Sequence, residues 1–255
     1  MAHHRVLLVN DDGIHSEGIA VLETIVREIF DDVWIVAPDE EKSGAAHSIS
    51  LSVPLRARQL GEKKFAVKGT PADCVILAYW ELMKDSPPTI VLSGINHGEN
   101  LGEDVLYSGT TGAAIESAAL GLPSIALSQV RVLGKTPRLD TARIHTLDIL
   151  TKLMKLDWKP GLIANVNFPD VDGGNVSGFR STRLGRRKPG TFTPRSGADG
   201  RNVPYHWIKV AYELGEPEVG TDLHAIKEQA ISITPLNIDM THSAYCDTLK
   251  NHFET

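Results

Sequence analysis

The strongest constraint on the fold is an alternation of short apolar runs with segments of helical period. Val6 to Val9 (VLLV) is an apolar run fit for a strand buried on both faces. From Ser16, apolar residues recur at Ile19, Leu22, Ile25, Val26 and Ile29, a helix period. Val33 to Ala37 (VWIVA) follows and is ended by Pro38. Strand, helix and strand in this order make the unit of a parallel sheet with a right-handed crossover. The pattern continues with strands at Thr89–Leu92, at SIALS and at Leu162–Val166, and with helices at TTGAAIESAALG and over 138–155. The fold class is therefore α/β with a parallel sheet. SISLSVPL from Ser48 alternates like a half-exposed strand, and FAVK at Phe65 is its expected partner. Thr70 and Pro71 open a helix as N-cap and first residue, with Asp73 completing a Thr-x-x-acid capping box.

After about residue 180 the texture changes. RSTRLGRRKPGTFTPRSGADGRN is basic, rich in Gly and Pro and poor in apolar residues. Such a stretch reads as a loop, hairpin or arm. The expected organisation is a core over 1–180, completed by a strand near 230–236. Residues 181–229 and 237–255 then form an arm and a C-terminal oligomerisation segment. PYHWIKV from Pro204 reads as a strand, and the tail from Asn237 as a short helix at best.

Composition narrows the partners. With a formal net charge of -6, the chain has no general attraction for polyanions, so no nucleic-acid duplex is expected. Any phosphate must be held by local groups. The two cysteines are too few for a disulfide framework. The first strand begins almost at once, leaving no room for a signal peptide, and no run reaches the ~20 apolar residues of a membrane span. The expectation is a cytoplasmic protein with no membrane partner.

Ligands of parallel α/β sheets bind beyond the carboxyl ends of the strands. The residues there are Asn10, Asp11, Asp12 and Gly13 after the first strand, and Lys42, Ser43 and Gly44 after the second. After the strand at Thr89 come Ser93, Gly94, Asn96 and Asn100, then Tyr107, Ser108, Gly109 and Thr110. Adjacent carboxylates such as Asp11 and Asp12 repel unless a cation compensates. Hard oxygen ligands suit Mg²⁺, Mn²⁺ or Ca²⁺ rather than zinc. An Asp-Gly hairpin turn needs a strand directly afterwards, but a helix pattern follows. A helix cap accounts for one carboxylate and not for both, so cap and cation both stand as readings of these residues. Ser43 and Asn96 add neutral oxygens, although Ser, Gly and Asn are also what turns contain. Ser108-Gly109-Thr110 opens a helix whose free N–H groups and dipole suit a phosphate, and Ser108 or Thr110 is equally a helix cap. His47 and His97 stand in the same loops. No Walker A sequence and no GxGxxG occur, which sets aside nucleoside triphosphatases and dinucleotide enzymes.

Together these segments resemble the SurE family of stationary-phase survival proteins, which act as 5′/3′-nucleotidases. The resemblance rests on VLLVNDDG with Ser16 and Gly18-Ile19, APDEEKSGAAHSISL, GTPADCV and SGINHGENLGEDVLYSGTTGAAIE. TRLGRR and TDLHAIKEQAISITPL extend it to nearly the whole chain. It implies a Rossmann-like three-layer sheet with a β-hairpin and a C-terminal segment exchanged between subunits of a homodimer or homotetramer. It implies one divalent metal per subunit, Mg²⁺ or Mn²⁺, on Asp11, Asp12, Ser43 and Asn96. The catalytic set is then Asp11, Asp12, Asn96 and Ser108, and the substrate contacts are Ser43, Gly44, Asn100, Ser108, Gly109 and Thr110. The implied reaction is hydrolysis of nucleoside 5′- and 3′-monophosphates, with short polyphosphate as a further substrate. The competing reading is a module that binds a nucleotide or polyphosphate without turning it over. His47 and the Thr111-Gly112 pair depart from the family's commoner residues and bear on substrate preference.

Overall fold

The computed structural model describes residues 4–132, 138–187, 192–210 and 215–254. Residues 188–191 of the basic stretch, and 1–3 ahead of the first strand, lie outside the described residues. The chain runs β1 (Arg5–Val9), α1 (Glu17–Val26), β2 (Asp32–Pro38), β3 (Ala57–Gly61), β4 (Lys64–Val67) and α2 (Pro71–Leu77). It continues through β5 (Ile90–His97), α3 (Gly109–Ala119), β6 (Ser124–Gln129), α4 (Asp140–Leu153), β7 (Leu162–Phe168) and β8 (Phe179–Ser181). Last come β9 (Phe192–Ala198), β10 (Pro204–Val210), α5 (Asp222–Lys227), β11 (Ile231–Asn237) and α6 (Ser243–Phe253).

Nine strands form one sheet in the order β3-β4-β2-β1-β5-β6-β7-β11-β8. Its centre, from β4 to β7, is parallel. β3 and β11 each run antiparallel to the strand beside them on the central side. Chain order reverses between β1 and β5: β2 lies on one side of β1, and β5 to β7 extend on the other. That reversal opens a crevice at the carboxyl ends of the two strands.

The strands are apolar on both faces because both faces are covered. Val6 and Leu8 of β1 join Ile19, Leu22 and Ile25 of α1 and Ile149 of α4 in one core. Leu7 and Val9 face the other way, onto Cys74 and Val75 of α2 and Ala113 of α3. This is the three-layer α/β architecture expected. α2 has its capping box: Asp73 N–H donates to Thr70 Oγ1 at 3.1 Å, and Thr70 N–H donates to Asp73 Oδ2 at 2.9 Å. Such caps are worth ~1 kcal/mol.

Three expectations need correction. SISLSVPL forms no strand: Leu51 and Val53 are exposed, and the Ser50 N–H and hydroxyl both donate to the Asp73 carboxylate. The partner of β4 is instead β3, which begins at Ala57. The loop expected after TIVL starts later, because β5 continues through Ser93-Gly94-Ile95-Asn96 to His97. The tail forms an eleven-residue helix, α6, with no buried residue.

β9 and β10 pair as an antiparallel hairpin of mostly exposed residues, in keeping with the composition. α5 behaves differently. Leu223 and Ile226 pack on Leu101, and buried Asp222 accepts from the N–H groups of Gly102, Gly185 and Leu223. Among the described residues no helix is long and apolar enough to cross a membrane.

Candidate functional site

A cavity of about 420 Å³ opens at the carboxyl edge of β1 and β5. The structure brings Asp11, Asp12, Ser43, Gly44, Asn96, Asn100 and Ser108 to its wall, although they come from four separate stretches of chain. Gly109 and Thr110 lie immediately behind that wall, both buried.

The turn after β1 sets the position of the two aspartates. Asn10 is fully buried, and its Nδ2 donates to Gly13 O at 2.9 Å and to Ser16 Oγ at 2.8 Å. Gly13 closes the turn at φ +94, a left-handed conformation that favours glycine. Asp11 points toward the start of α3, where Thr110 Oγ1 donates to its Oδ1 at 2.5 Å. Asp12 points toward β5, where the His97 N–H donates to its Oδ2 at 3.1 Å. α3 can come this close because its first residue is Gly109; a Cβ there would lie 2.8 Å from Asp11 Cβ.

Both carboxyls are pushed up to about 6, Asp11 by burial and by the Asp12 charge, Asp12 mainly by burial. Among the described residues neither forms an ion pair. Burial and repulsion would be relieved by a cation between them. The neighbouring oxygens suit the same ion. Asn96 commits its Nδ2 to Gly98 O at 2.8 Å, which leaves Oδ1 for a ligand. Ser43 donates its hydroxyl proton to Glu41 Oε1 at 2.7 Å, which leaves the oxygen's lone pairs available. Two carboxylates, an amide oxygen and a hydroxyl fit a hard divalent cation. Among the described residues no cluster of three or more His, Cys, Asp or Glu side chains offers a rival site.

Ser108 is the N-cap of α3, its Oγ accepting from Thr111 N–H at 3.0 Å. The Thr111 N–H is spent on that cap and the Thr110 N–H on the Asp11 carboxylate, which leaves the Ser108 hydroxyl proton and the Gly109 N–H as the groups at the start of α3 that suit an anion. The Thr110 hydroxyl is spent on Asp11 instead of facing the cavity. Asn100 anchors the loop that follows β5: its Nδ2 donates to Ser128 Oγ at 2.7 Å, and its carbonyl accepts from Asn165 and Asn167.

Several wall residues escape sequence reasoning. Glu41, Glu99, Asp104 and Arg131 line the cavity, together with Phe192, Ile208 and Val210 of the hairpin. Arg187 sits behind Asp104 at 2.6 Å and Glu99 at 3.5 Å. Tyr107 packs on Phe192 with ring centroids 4.8 Å apart, giving the cavity one apolar side. Arg131 follows β6 just as Asp11 follows β1, so the same strand-end rule would have found it. The pairing of Arg187 with Asp104 joins residues 83 positions apart, and no local signal marks it.

A doubly wound α/β protein with a carboxylate-lined cavity at its switch point belongs to the class that binds its ligands there. Residues 6–191 match the family model described as Survival protein SurE. The chain is 46% identical over 253 residues to 5′-nucleotidase SurE of Parvibaculum lavamentivorans, covering 98% of this chain and 91% of the relative. It is 48% identical over 239 residues to 5′-nucleotidase SurE of Methylobacterium radiotolerans, covering 93% and 94%. The crystal structure of the SurE protein from Aquifex aeolicus superposes with a TM-score of 0.84 at 35% identity, covering 97% of this chain and 99% of that one. The chain belongs to the SurE family.

Proposed function

We propose that this chain is a divalent-metal-dependent 5′-nucleotidase that hydrolyses nucleoside monophosphates to nucleoside and phosphate. The observation that carries the reading is the buried Asp11–Asp12 pair, which among the described residues has no ion-pair partner, facing one cavity with the capped start of α3. The names of the relatives support the nucleotide as substrate. The apolar side made by Tyr107, Phe192, Ile208 and Val210 supports a ligand with a base attached over phosphate alone. We extend the proposal to 3′-monophosphates and short polyphosphate, since the phosphate end makes no demand on the ester group.

Asp11, Asp12, Ser43 and Asn96 would hold Mg²⁺ or Mn²⁺. That ion would neutralise phosphate charge as the ester breaks. Ser108 and the Gly109 N–H bind phosphate oxygens and stabilise the charge that develops on them. Thr110 holds Asp11, and the His97 N–H holds Asp12, in fixed orientations. A water attacks phosphorus in line as the ester P–O bond breaks, and its proton passes by way of the Asp11–Asp12 pair to the departing nucleoside oxygen. The test is release of inorganic phosphate from AMP with Mn²⁺ and with EDTA. Release that EDTA abolishes supports the enzyme; no release from any nucleoside monophosphate supports a module that only binds.

We further propose that subunits associate through α6. It buries nothing in its own chain and exposes Tyr245, Leu249 and Phe253. Light scattering tests this, and a monomer at micromolar concentration contradicts it.

A further inference from the structure

The cavity carries a charge problem that Asp11 and Asp12 do not solve. Five carboxylates line it: Asp11, Asp12, Glu41, Glu99 and Asp104. A phosphate monoester enters as a dianion. One divalent ion on Asp11 and Asp12 carries two charges against the four of that pair and the phosphate, so part of the phosphate charge is left to be met by other cations.

Among the described residues three cationic side chains come near enough to consider, and two are committed. Arg187 is buried, with its side chain 3% exposed, and is held by Asp104 at 2.6 Å and Glu99 at 3.5 Å. Lys42 turns to Glu40 at 2.6 Å. The third is Arg131, which lines the cavity itself. Among the described residues no carboxylate lies within 4.0 Å of its guanidinium. It is close enough to act on the charge of both Asp12 and His97.

Its root is fixed. Gln129, the last residue of β6, pairs in register with His97 of β5, so Arg131 leaves the sheet at the edge that carries Asn96 and His97. The Gln129 Nε2 donates to Phe168 O at 3.1 Å and Pro169 O at 3.0 Å, and the Val130 N–H donates to Phe168 O at 2.9 Å. The chain is thus anchored up to the residue before Arg131, and among the described residues its long side chain has no ion-pair partner at the cavity wall. A guanidinium matches two oxygens of a phosphate with parallel N–H donors, which an ammonium does not.

We propose that Arg131 is a phosphate-binding residue of this site, its guanidinium donating to two non-bridging oxygens of the substrate phosphate. The proposal rests on the nucleotidase reading for the substrate, but the phosphate contact is testable apart from turnover. Titration calorimetry of inorganic phosphate into the Mn²⁺-loaded protein is the primary measurement, on wild type, Arg131→Gln and Arg131→Lys. Phosphate binding weakens at least ~10-fold in R131Q and by less in R131K. The rise in melting temperature on adding Mn²⁺ stays as in wild type, because Arg131 holds no metal. With AMP, kcat/KM falls about 10²-fold in R131Q, the scale of losing one donor to a phosphoryl oxygen. Unchanged phosphate affinity in R131Q overturns the proposal, as does loss of the Mn²⁺ shift in that variant. Wild-type protein that binds phosphate through Arg131 yet releases none from AMP refutes the nucleotidase reading and leaves this contact standing.

Discussion

Thr110 Oγ1 donates to Asp11 Oδ1 at 2.5 Å, and through this bond the first turn of α3 is tied to the turn after β1. The capped start of α3 and the carboxylate floor of the cavity are therefore joined directly. Thr110→Val keeps the shape of the side chain and removes the donor. Mn²⁺ affinity then falls ~10–100-fold, the usual cost of losing a partner that orients a ligand. Titration of Mn²⁺ followed by melting temperature reads this; unchanged affinity shows that Asp11 needs no such support.

The Ser108 hydroxyl caps α3, and the proposed mechanism gives it a phosphate contact as well; a single substitution separates the two by size. Ser108→Ala removes a helix cap, at about 1 kcal/mol of stability. If the hydroxyl also donates to phosphate, kcat with AMP falls by roughly 10²–10³. Chemical denaturation gives the first effect and steady-state kinetics the second. A variant that loses the stability and keeps kcat confines Ser108 to capping.

The two aspartates make the metal-free protein sensitive to pH. Their carboxyls lie near 6 in the fold against about 3.8 when unfolded. The folded state thus favours the protonated form. The resulting stability is fully present below about pH 4 and is lost as pH rises through about 6. In EDTA, the melting temperature of wild type drops from pH 5 to pH 7 more steeply than that of Asp11→Asn, which lacks one of the titrating groups. Mn²⁺ restores wild type at pH 7 and does little at pH 5, where protons compete for the same oxygens. Parallel pH profiles for the two proteins in EDTA contradict this account.

Asp222 joins parts of the chain that sequence keeps far apart. Its buried carboxylate takes the N–H groups of Gly102, Gly185 and Leu223 at 2.7–2.8 Å. Asp222→Ala strands three buried donors and costs about 3 kcal/mol or more. A denaturation midpoint close to wild type would mean that water replaces the carboxylate there.

The sequence foretells most of the frame because buried parallel strands are short apolar runs, and VLLV, VWIVA, TIVL, SIALS and LIANV all form strands. It misleads at SISLSVPL, where an alternating pattern has no sheet partner and Asp73 fastens Ser50 instead. The same strand-end rule gathers Asp11, Asp12, Ser43, Asn96, Asn100 and Ser108 at one cavity. It cannot show that Thr110 faces Asp11, because that depends on how closely α3 approaches β1. Nor can it show that the hairpin walls the cavity with Phe192, Ile208 and Val210, since composition marks the segment as peripheral without saying what it covers. The buried Arg187–Asp104 and Asp222 contacts are long-range and leave no local periodicity.

In the proposed mechanism Asp11 and Asp12 hold a divalent ion needed to hydrolyse a nucleoside monophosphate. The most direct measurement is Mn²⁺-dependent phosphate release from AMP by wild type, Asp11→Asn and Asp12→Asn, with the Mn²⁺-induced rise in melting temperature recorded on the same samples. Wild type is expected to show phosphate release that EDTA abolishes, and each variant to lose both release and thermal shift. Near-normal turnover in either variant, or wild-type turnover that survives EDTA, contradicts that mechanism.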